Sequence, residues 1–198
     1  MKRALANRGK EEGHCFQFID RWKIHAEREE IAACTLNFSD ASRWWPACFL
    51  KTEIVSPGDE NGVGAEVHAL TKGLLPYCLN VVITVKDADP LNWYRFQFGG
   101  DLKGTSLLEI QFEGGVAEMN FTSSLLATKS IIRNSPVIFK PVFASNHYWV
   151  MRRGEVSFQA EVLRVKDGDE VSTGIPGPTF PHNIPWVVNR IPWGKHTK

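Results

Sequence analysis

Asp20 is the first residue of this sequence whose position could support chemistry. Strict alternation places its carboxyl group on the apolar face of a β-strand, in line with Phe16, Phe18, Trp22 and Ile24. A carboxyl group buried there needs a polar partner or a raised pKa, so Asp20 is a candidate acid, base or polar anchor. The alternative is that Asp20 lies near a strand end or a bulge and reaches water.

His147 and Tyr94 are the other two candidates for proton transfer. His147 lies four residues from Phe143 and from Met151, on the apolar face of a predicted helix, where an imidazole could orient a ligand carbonyl or act as a base. The alternative is a structural histidine that is hydrogen-bonded to the backbone. Tyr94 belongs to a ring-rich strand, and it could move a proton on an enolisable substrate together with either of the other two.

Other polar residues carry weaker signals. Glu66 and His68 share one face of a predicted strand, which points either inward or to solvent. The six histidines form no i, i+4 pair, and no nucleophile elbow, Walker loop or C-x-x-C motif is present. The four cysteines lie among apolar neighbours and are expected to be reduced. The sequence therefore predicts no metal site and no cofactor.

Composition limits the class of protein. The 198 residues include 23 basic and 22 acidic side chains, and this balance argues against a nucleic-acid partner. The first dozen residues contain no apolar signal segment, and no apolar run is long enough for a transmembrane helix, so a cytoplasmic location is expected. Seven tryptophans and twelve phenylalanines, against three tyrosines, indicate a large apolar interior.

These candidates must be positioned by strands and helices. A long strand from Cys15 is predicted to lead into two short helices, at 27–37 and 40–45. A meander of about six antiparallel strands follows from Phe49 to Leu126, with the glycines at 99–104 as a turn. Spacings of three, four and seven predict a long helix over 136–163, which Pro141 kinks or begins.

The order of these elements, and five short motifs along it, resemble the START-like (SRPBCC) superfamily, in particular its polyketide cyclase/dehydrase and lipid-transport group. The motifs are Trp22-x-Ile24-x-Ala26, Asp40-x-x-x-Trp44-Trp45-Pro46, Gly62-Val63-Gly64, Gly100-Asp101-Leu102-x-Gly104 and Asn146-His147-x-x-Val150-Met151-x-x-Gly154-Glu155. The resemblance implies the α+β helix-grip fold, a curved antiparallel sheet of about seven strands wrapped around a long C-terminal helix. We expect this domain at 14–165, after a flexible arm at 1–13 and before a tail rich in proline and tryptophan at 166–198.

The resemblance also implies an elongated apolar cavity between the sheet and the long helix. The side chains expected to bind a ligand there are Trp22, Leu70, Leu79, Tyr94, Phe96, Phe98, Leu108, Ile110, Phe143, His147 and Met151. We therefore expect a carrier or sensor of a small apolar ligand, such as a lipid, an isoprenoid or a polyketide-like molecule. A cyclase or dehydratase is the first alternative, and an interaction module that binds a partner through its tail is the second. A homodimer is compatible with the sequence.

Overall fold

The computed structural model describes residues 15–36, 38–170 and 173–193. The expected arm at 1–13 lies outside these residues. The seven β-strands are β1 Cys15–His25, β2 Phe49–Ser56, β3 Glu66–Lys72, β4 Cys78–Asp89, β5 Trp93–Gly100, β6 Leu102–Glu113 and β7 Val116–Ala127. The five α-helices are α1 Arg28–Leu36, α2 Ala41–Trp44, α3 Ser130–Arg133, α4 Lys140–Asp167 and α5 Pro185–Arg190.

The strands form one antiparallel sheet in the order β1-β7-β6-β5-β4-β3-β2. From β2 to β7, strands that are consecutive in the chain are neighbours in the sheet. Strand β1 pairs with β7 along its whole length, from Cys15–Leu126 to His25–Val116. The helices α1 and α2 connect β1 to β2, and the 28-residue α4 packs against β1 and α1. This architecture confirms the predicted α+β helix-grip fold. Pro141 begins the helix, in a position where its missing N–H has no intrahelical role.

Helix α4 also covers the free edge of β1. The backbone N–H of Lys23 donates a hydrogen bond to Glu155 Oε1 at 2.9 Å, and that of His25 donates to Gln159 Oε1 at 2.7 Å. The Gln159 side chain in turn donates to the carbonyl of His25. Side chains of the helix thus take the place of a neighbouring strand along this part of the edge.

The interior has a filled end and a hollow end. At the filled end, fully buried aliphatic side chains of β1, α1, β7 and α4 pack together, among them Ile24, Ile31, Ala117 and Val162. At the hollow end, the first half of α4 stands away from β4 to β7. The change occurs near Gly154, where the indoles of Trp22 and Trp45 lie against the helix backbone.

Two parts of the chain differ from the prediction. The turn expected over 99–104 is confined to Asp101, because β5 continues to Gly100 and Leu102 of β6 already pairs with Ala127 of β7. Gly100 has φ 83° and supplies the sharp reversal. The tail, which the sequence indicated to be extended, includes the short helix α5.

The tail contacts the sheet at the β3–β4 loop. The Lys72 ammonium donates to the carbonyl of Thr179 at 2.9 Å and also to the Thr179 hydroxyl, and that hydroxyl donates to the carbonyl of Gly73 at 3.3 Å. His182 Nε2 lies 3.2 Å from Cys78 Sγ. In the part of the chain that the structure describes, no helix is long and apolar enough to cross a membrane.

Candidate functional site

A cavity of about 260 Å³ lies between the sheet and the first half of α4. Nine phenylalanines, three tryptophans and two tyrosines contribute to its wall. Aliphatic side chains fill most of the remaining surface, and Lys72, which lies at one edge of the wall, directs its ammonium to Thr179 in the tail. The site is therefore a ring-lined hollow with few polar groups.

Nine of the eleven side chains expected at a ligand site line this cavity. They are Trp22, Leu79, Tyr94, Phe96, Phe98, Leu108, Phe143, His147 and Met151. Alternation along β1, β4, β5 and β6 indicated the buried face for six of them, and helical spacing did so for Phe143, His147 and Met151. The cavity itself was what the resemblance implied.

Leu70 and Ile110 do not line the cavity, although both are buried. Leu70 has the parity opposite to that of Thr71, which lines the cavity, so it belongs to the other face of β3. Ile110 has the inward parity and packs in the buried core, but it does not reach the cavity, although its strand partner Met119 does. Parity gives the face of a strand, whereas position along the strand decides between core and cavity.

Asp20 and His147 are in contact next to the cavity, and of the two only His147 is part of its wall. Asp20 is 8% exposed on the inner face of β1, and His147 Nε2–H donates to its Oδ2 at 2.7 Å. The imidazole stacks on Phe18 with ring centroids 3.7 Å apart and an interplanar angle of 9°. The carboxylate fixes which ring nitrogen carries the proton, and Nδ1 has no hydrogen-bond partner among the described residues.

Tyr94 lies apart from this pair and has a different partner. Its hydroxyl is 3.0 Å from Thr35 Oγ1, which itself donates to the carbonyl of Ile31 at 3.0 Å. Either hydroxyl can donate in this pair, and donation by Tyr94 leaves the Thr35 proton for the carbonyl of Ile31 or Ala32. Burial raises the pKa of Tyr94, which further favours the neutral phenol.

Two buried thiols belong to the apolar wall. Burial raises the pKa of Cys34 and that of Cys48 to about 12, so both remain protonated at neutral pH. All four cysteines are free thiols in the structure, as the sequence indicated. Cys34 and Cys48 thus contribute apolar, polarisable surface.

Ser106 and Ser123 form a hydroxyl pair that no sequence motif marks. Both side chains line the cavity, and their Oγ atoms are 2.8 Å apart. The parity of Ser106 with Leu108 places it on the inner face, so that signal was present. The pairing with Ser123 follows from the two-residue turn at Gly114 and Gly115, which pairs Glu113 with Val116 and therefore Ser106 with Ser123.

The cavity edge next to the tail is formed by the β3–β4 loop and α4. Asn146 Oδ1 accepts a hydrogen bond from the backbone N–H of Leu75 at 3.0 Å. A side chain at position 73 would collide with Asn146, so Gly73 permits this close approach. Glu66 and His68 lie away from the cavity and pair with each other at 3.3 Å.

Comparisons with known proteins show similarity in structure. No family model matches the sequence, and a search of curated proteins gives no match. Among solved structures, the Zhui aromatase/cyclase from Streptomyces sp. R1128 superposes with a TM-score of 0.63 at 10% identity, over 76% of this chain and 95% of that one. A START superfamily protein from Mycobacterium smegmatis gives a TM-score of 0.58 at 12% identity, over 75% and 98% of the two chains.

A plant enzyme has the same fold. Norcoclaurine synthase from Thalictrum flavum, in complex with a transition-state analogue, gives a TM-score of 0.54 at 14% identity, over 77% of this chain and 96% of that one. Identities this low establish a shared fold and leave function to be argued from the site.

Proposed function

We propose that this chain, which has the START-like helix-grip fold, binds a small apolar ligand in the cavity as a carrier or sensor. The observation that carries the proposal is the wall itself, in which fourteen phenylalanine, tryptophan and tyrosine side chains surround a hollow of about 260 Å³. Apolar hollows with a few placed polar groups are the usual form of small-molecule sites. The ligand classes we favour are lipids, isoprenoids and polyketide-like ring systems.

The structural relatives are consistent with such a role. A START superfamily protein and two enzymes named for small organic substrates or reactions have the same architecture. Burial of a ring-containing ligand against this wall would gain about 25 cal/mol for each Å² of apolar surface removed from water.

The experiment is to purify the protein, extract it with organic solvent and identify the extracted molecules by mass spectrometry. The matched variants are Leu125→Trp, which fills the cavity from β7, and Thr122→Trp, which places the same ring on the exposed face of that strand. We expect a copurified apolar molecule with the wild type and with Thr122→Trp, and its loss with Leu125→Trp. Equal recovery from all three proteins would contradict the proposal.

A second candidate function is that of a cyclase or dehydratase, and the contact between Asp20 and His147 favours it. In such a reaction Nδ1 of His147 would take a proton from carbon beside a carbonyl group, and the electron pair of the broken C–H bond would move to the carbonyl oxygen. The Asp20 carboxylate would stabilise the imidazolium that forms. Tyr94 is not needed in this scheme, because it lies apart from the pair, with its hydroxyl 3.0 Å from Thr35 Oγ1.

The enzyme hypothesis is tested by deuterium exchange at the α-carbons of 2-tetralone in D₂O, followed by NMR. Acceleration by the wild type that is lost in both Asp20→Asn and His147→Gln would support it. The same acceleration in all three proteins, or none in the wild type, would exclude this role for the pair with this ketone.

A further inference from the structure

The inner face of the sheet carries a buried pair of hydroxyl groups. Ser106 of β6 and Ser123 of β7 are direct partners in the strand register, and they are 6% and 7% exposed. Their Oγ atoms lie 2.8 Å apart, and both residues line the cavity. They form a polar spot in a wall that is otherwise mostly apolar.

One hydroxyl proton of this pair has no hydrogen-bond acceptor among the described residues. Two hydroxyl groups carry two protons, and their mutual hydrogen bond uses one. The described residues give neither hydroxyl a further acceptor. A buried O–H without an acceptor costs about 1–3 kcal/mol, so the pair favours cavity contents that supply one.

The other hydroxyl pair of the cavity shows the contrast. Thr35 has the carbonyls of Ile31 and Ala32 as acceptors, and Tyr94 can donate to Thr35, so the protein supplies acceptors for both protons of that pair. The carboxylate of Asp20 likewise accepts from His147. The serine pair is therefore a hydroxyl donor site that leaves a proton for a ligand.

The surroundings of the serines suit a flat molecule. In the strand register, Phe18 of β1 pairs with Ser123 of β7, and Phe96 of β5 pairs with Ser106 of β6. The two serines therefore lie side by side between two phenylalanines. Gly104, two residues before Ser106 on β6, adds no side chain to this strip. The result is a recess in an aromatic surface with a hydroxyl donor at its base.

We propose that Ser106 and Ser123 bind the acceptor oxygen of a flat, ring-containing ligand, and that the natural ligand carries a carbonyl group at this point. This inference rests on the proposed function and narrows it from apolar molecules in general to planar ketones and related carbonyl compounds. The rings of the ligand lie against the aromatic wall, and its oxygen enters the recess.

The test uses two probes of nearly the same shape, fluorene and 9-fluorenone, which differ by a carbonyl oxygen. Dissociation constants are measured by quenching of tryptophan fluorescence, for the wild type and for the double variant Ser106→Ala/Ser123→Ala. We expect the ratio of the fluorene constant to the fluorenone constant to fall about tenfold in the double variant. Fluorene itself should bind the double variant at least as well as the wild type.

Two further variants serve as controls. Ser123→Ala alone leaves one hydroxyl with a free proton, so it should keep most of the preference for fluorenone. Ser124→Ala removes a hydroxyl from the opposite face of β7, where it accepts from Gln17, and should leave the ratio unchanged.

The outcomes separate this inference from the proposed function. If both probes bind but the ratio is the same in the wild type and the double variant, the serine site is wrong and the apolar cavity stands. If neither probe binds the wild type, the result contradicts the binding function for flat ring systems, and this inference fails with it.

Discussion

Gly154 is the residue at which the long helix comes closest to the tryptophans beneath it. A Cβ atom there would lie 2.6 Å from Cζ2 of Trp22 and 2.7 Å from Cε2 of Trp45. Both indoles are buried and packed on other rings, with Trp22 4.7 Å from Phe121 between centroids. The glycine is therefore a packing requirement within an unbroken helix.

We expect Gly154→Ala to destabilise the protein. Alanine gains up to about 1 kcal/mol in helix propensity, but overpacking against two fixed indoles costs about 1–3 kcal/mol. The free energy of unfolding in urea should fall by roughly 1–2 kcal/mol.

Ser157→Ala is the control, because it lies one turn further along α4. Ser157 is fully buried, and its hydroxyl has no hydrogen-bond partner among the described residues. Its removal should leave stability unchanged or raise it by about 1 kcal/mol. A stabilised Gly154→Ala would contradict the packing described for Trp22 and Trp45.

For single residues of the site, alternation and helical spacing predicted which face of a strand or helix a side chain occupies, but not which residue it contacts. Asp20 and His147 were selected because each breaks an apolar pattern. Their contact could not be predicted, because they are 127 residues apart and no local rule relates β1 to α4. The Ser106–Ser123 pair is different, because both serines lie on one hairpin and its two-residue turn at 114–115 sets their register.

At the level of elements, α2 and α4 are joined by a buried carboxylate. Glu161 is 1% exposed, and Arg43 of α2 binds both of its oxygens, at 2.9 and 2.6 Å. Arg164 of α4 also binds both, at 2.9 and 2.8 Å. Glu161 is thus compensated by two guanidinium groups, and the contact with Arg43 fixes α2 against α4.

We expect Arg43→Gln to weaken the fold. It leaves the buried carboxylate with one guanidinium, so the loss should be about 2–3 kcal/mol, below the full cost of an unpaired buried charge. The measurement is urea unfolding monitored by circular dichroism. The double variant Arg43→Gln/Glu161→Gln should recover part of the loss, because the buried carboxylate is gone and Arg164, which is partly exposed, can be solvated.

The control is Arg95→Gln, which removes an ion pair to Asp87 at 3.7 Å between side chains that are more than half exposed. Exposed pairs contribute about 0–1 kcal/mol. If Arg43→Gln lowers the free energy of unfolding no more than Arg95→Gln does, the contact between Arg43 and Glu161 does not stabilise the packing of α2 against α4.

The contact between the tail and the sheet should depend on pH through His182. Burial and the nearby Lys72 lower the pKa of His182, so the docked tail favours the neutral imidazole. A solvated histidine binds a proton near pH 6.5, and protonation therefore favours release as the pH falls below that value. Cys78 and Lys72 are the titratable groups of the sheet that face it.

We expect hydrogen-exchange protection of 173–193, corrected for intrinsic rates, to decrease between pH 7 and pH 5 in the wild type. His182→Asn should show a smaller decrease, whereas His25→Asn, at an exposed position of β1, should behave like the wild type. Protection in the wild type that stays constant over this range would contradict the role of His182.

The elements themselves were largely predictable. Period-two alternation gave the strands and helical spacing gave α4, because each has one buried face. The position of the tail was not predictable from the sequence. It depends on contacts among Lys72, Thr179 and His182, which come together only in the folded chain.

At the level of the whole molecule, the filled and hollow ends have separate roles. The filled end holds β1, α1 and the second half of α4 together, so it stabilises the fold without contributions from the cavity. The hollow end can then remain open between the sheet and residues 143–151 of α4 without loss of the fold. This division is what a binding protein requires.

The most direct test of binding uses the methyl groups of Met119 and Met151, which both line the cavity. The protein is labelled with ¹³C at the methionine methyls and titrated with fluorene, and proton–carbon correlation spectra are recorded for the wild type, Leu125→Trp and Thr122→Trp. We predict saturable shifts of both resonances in the wild type and in Thr122→Trp, and none in Leu125→Trp. Unchanged resonances in the wild type, or equal shifts in Leu125→Trp, would contradict binding of such ligands in the cavity.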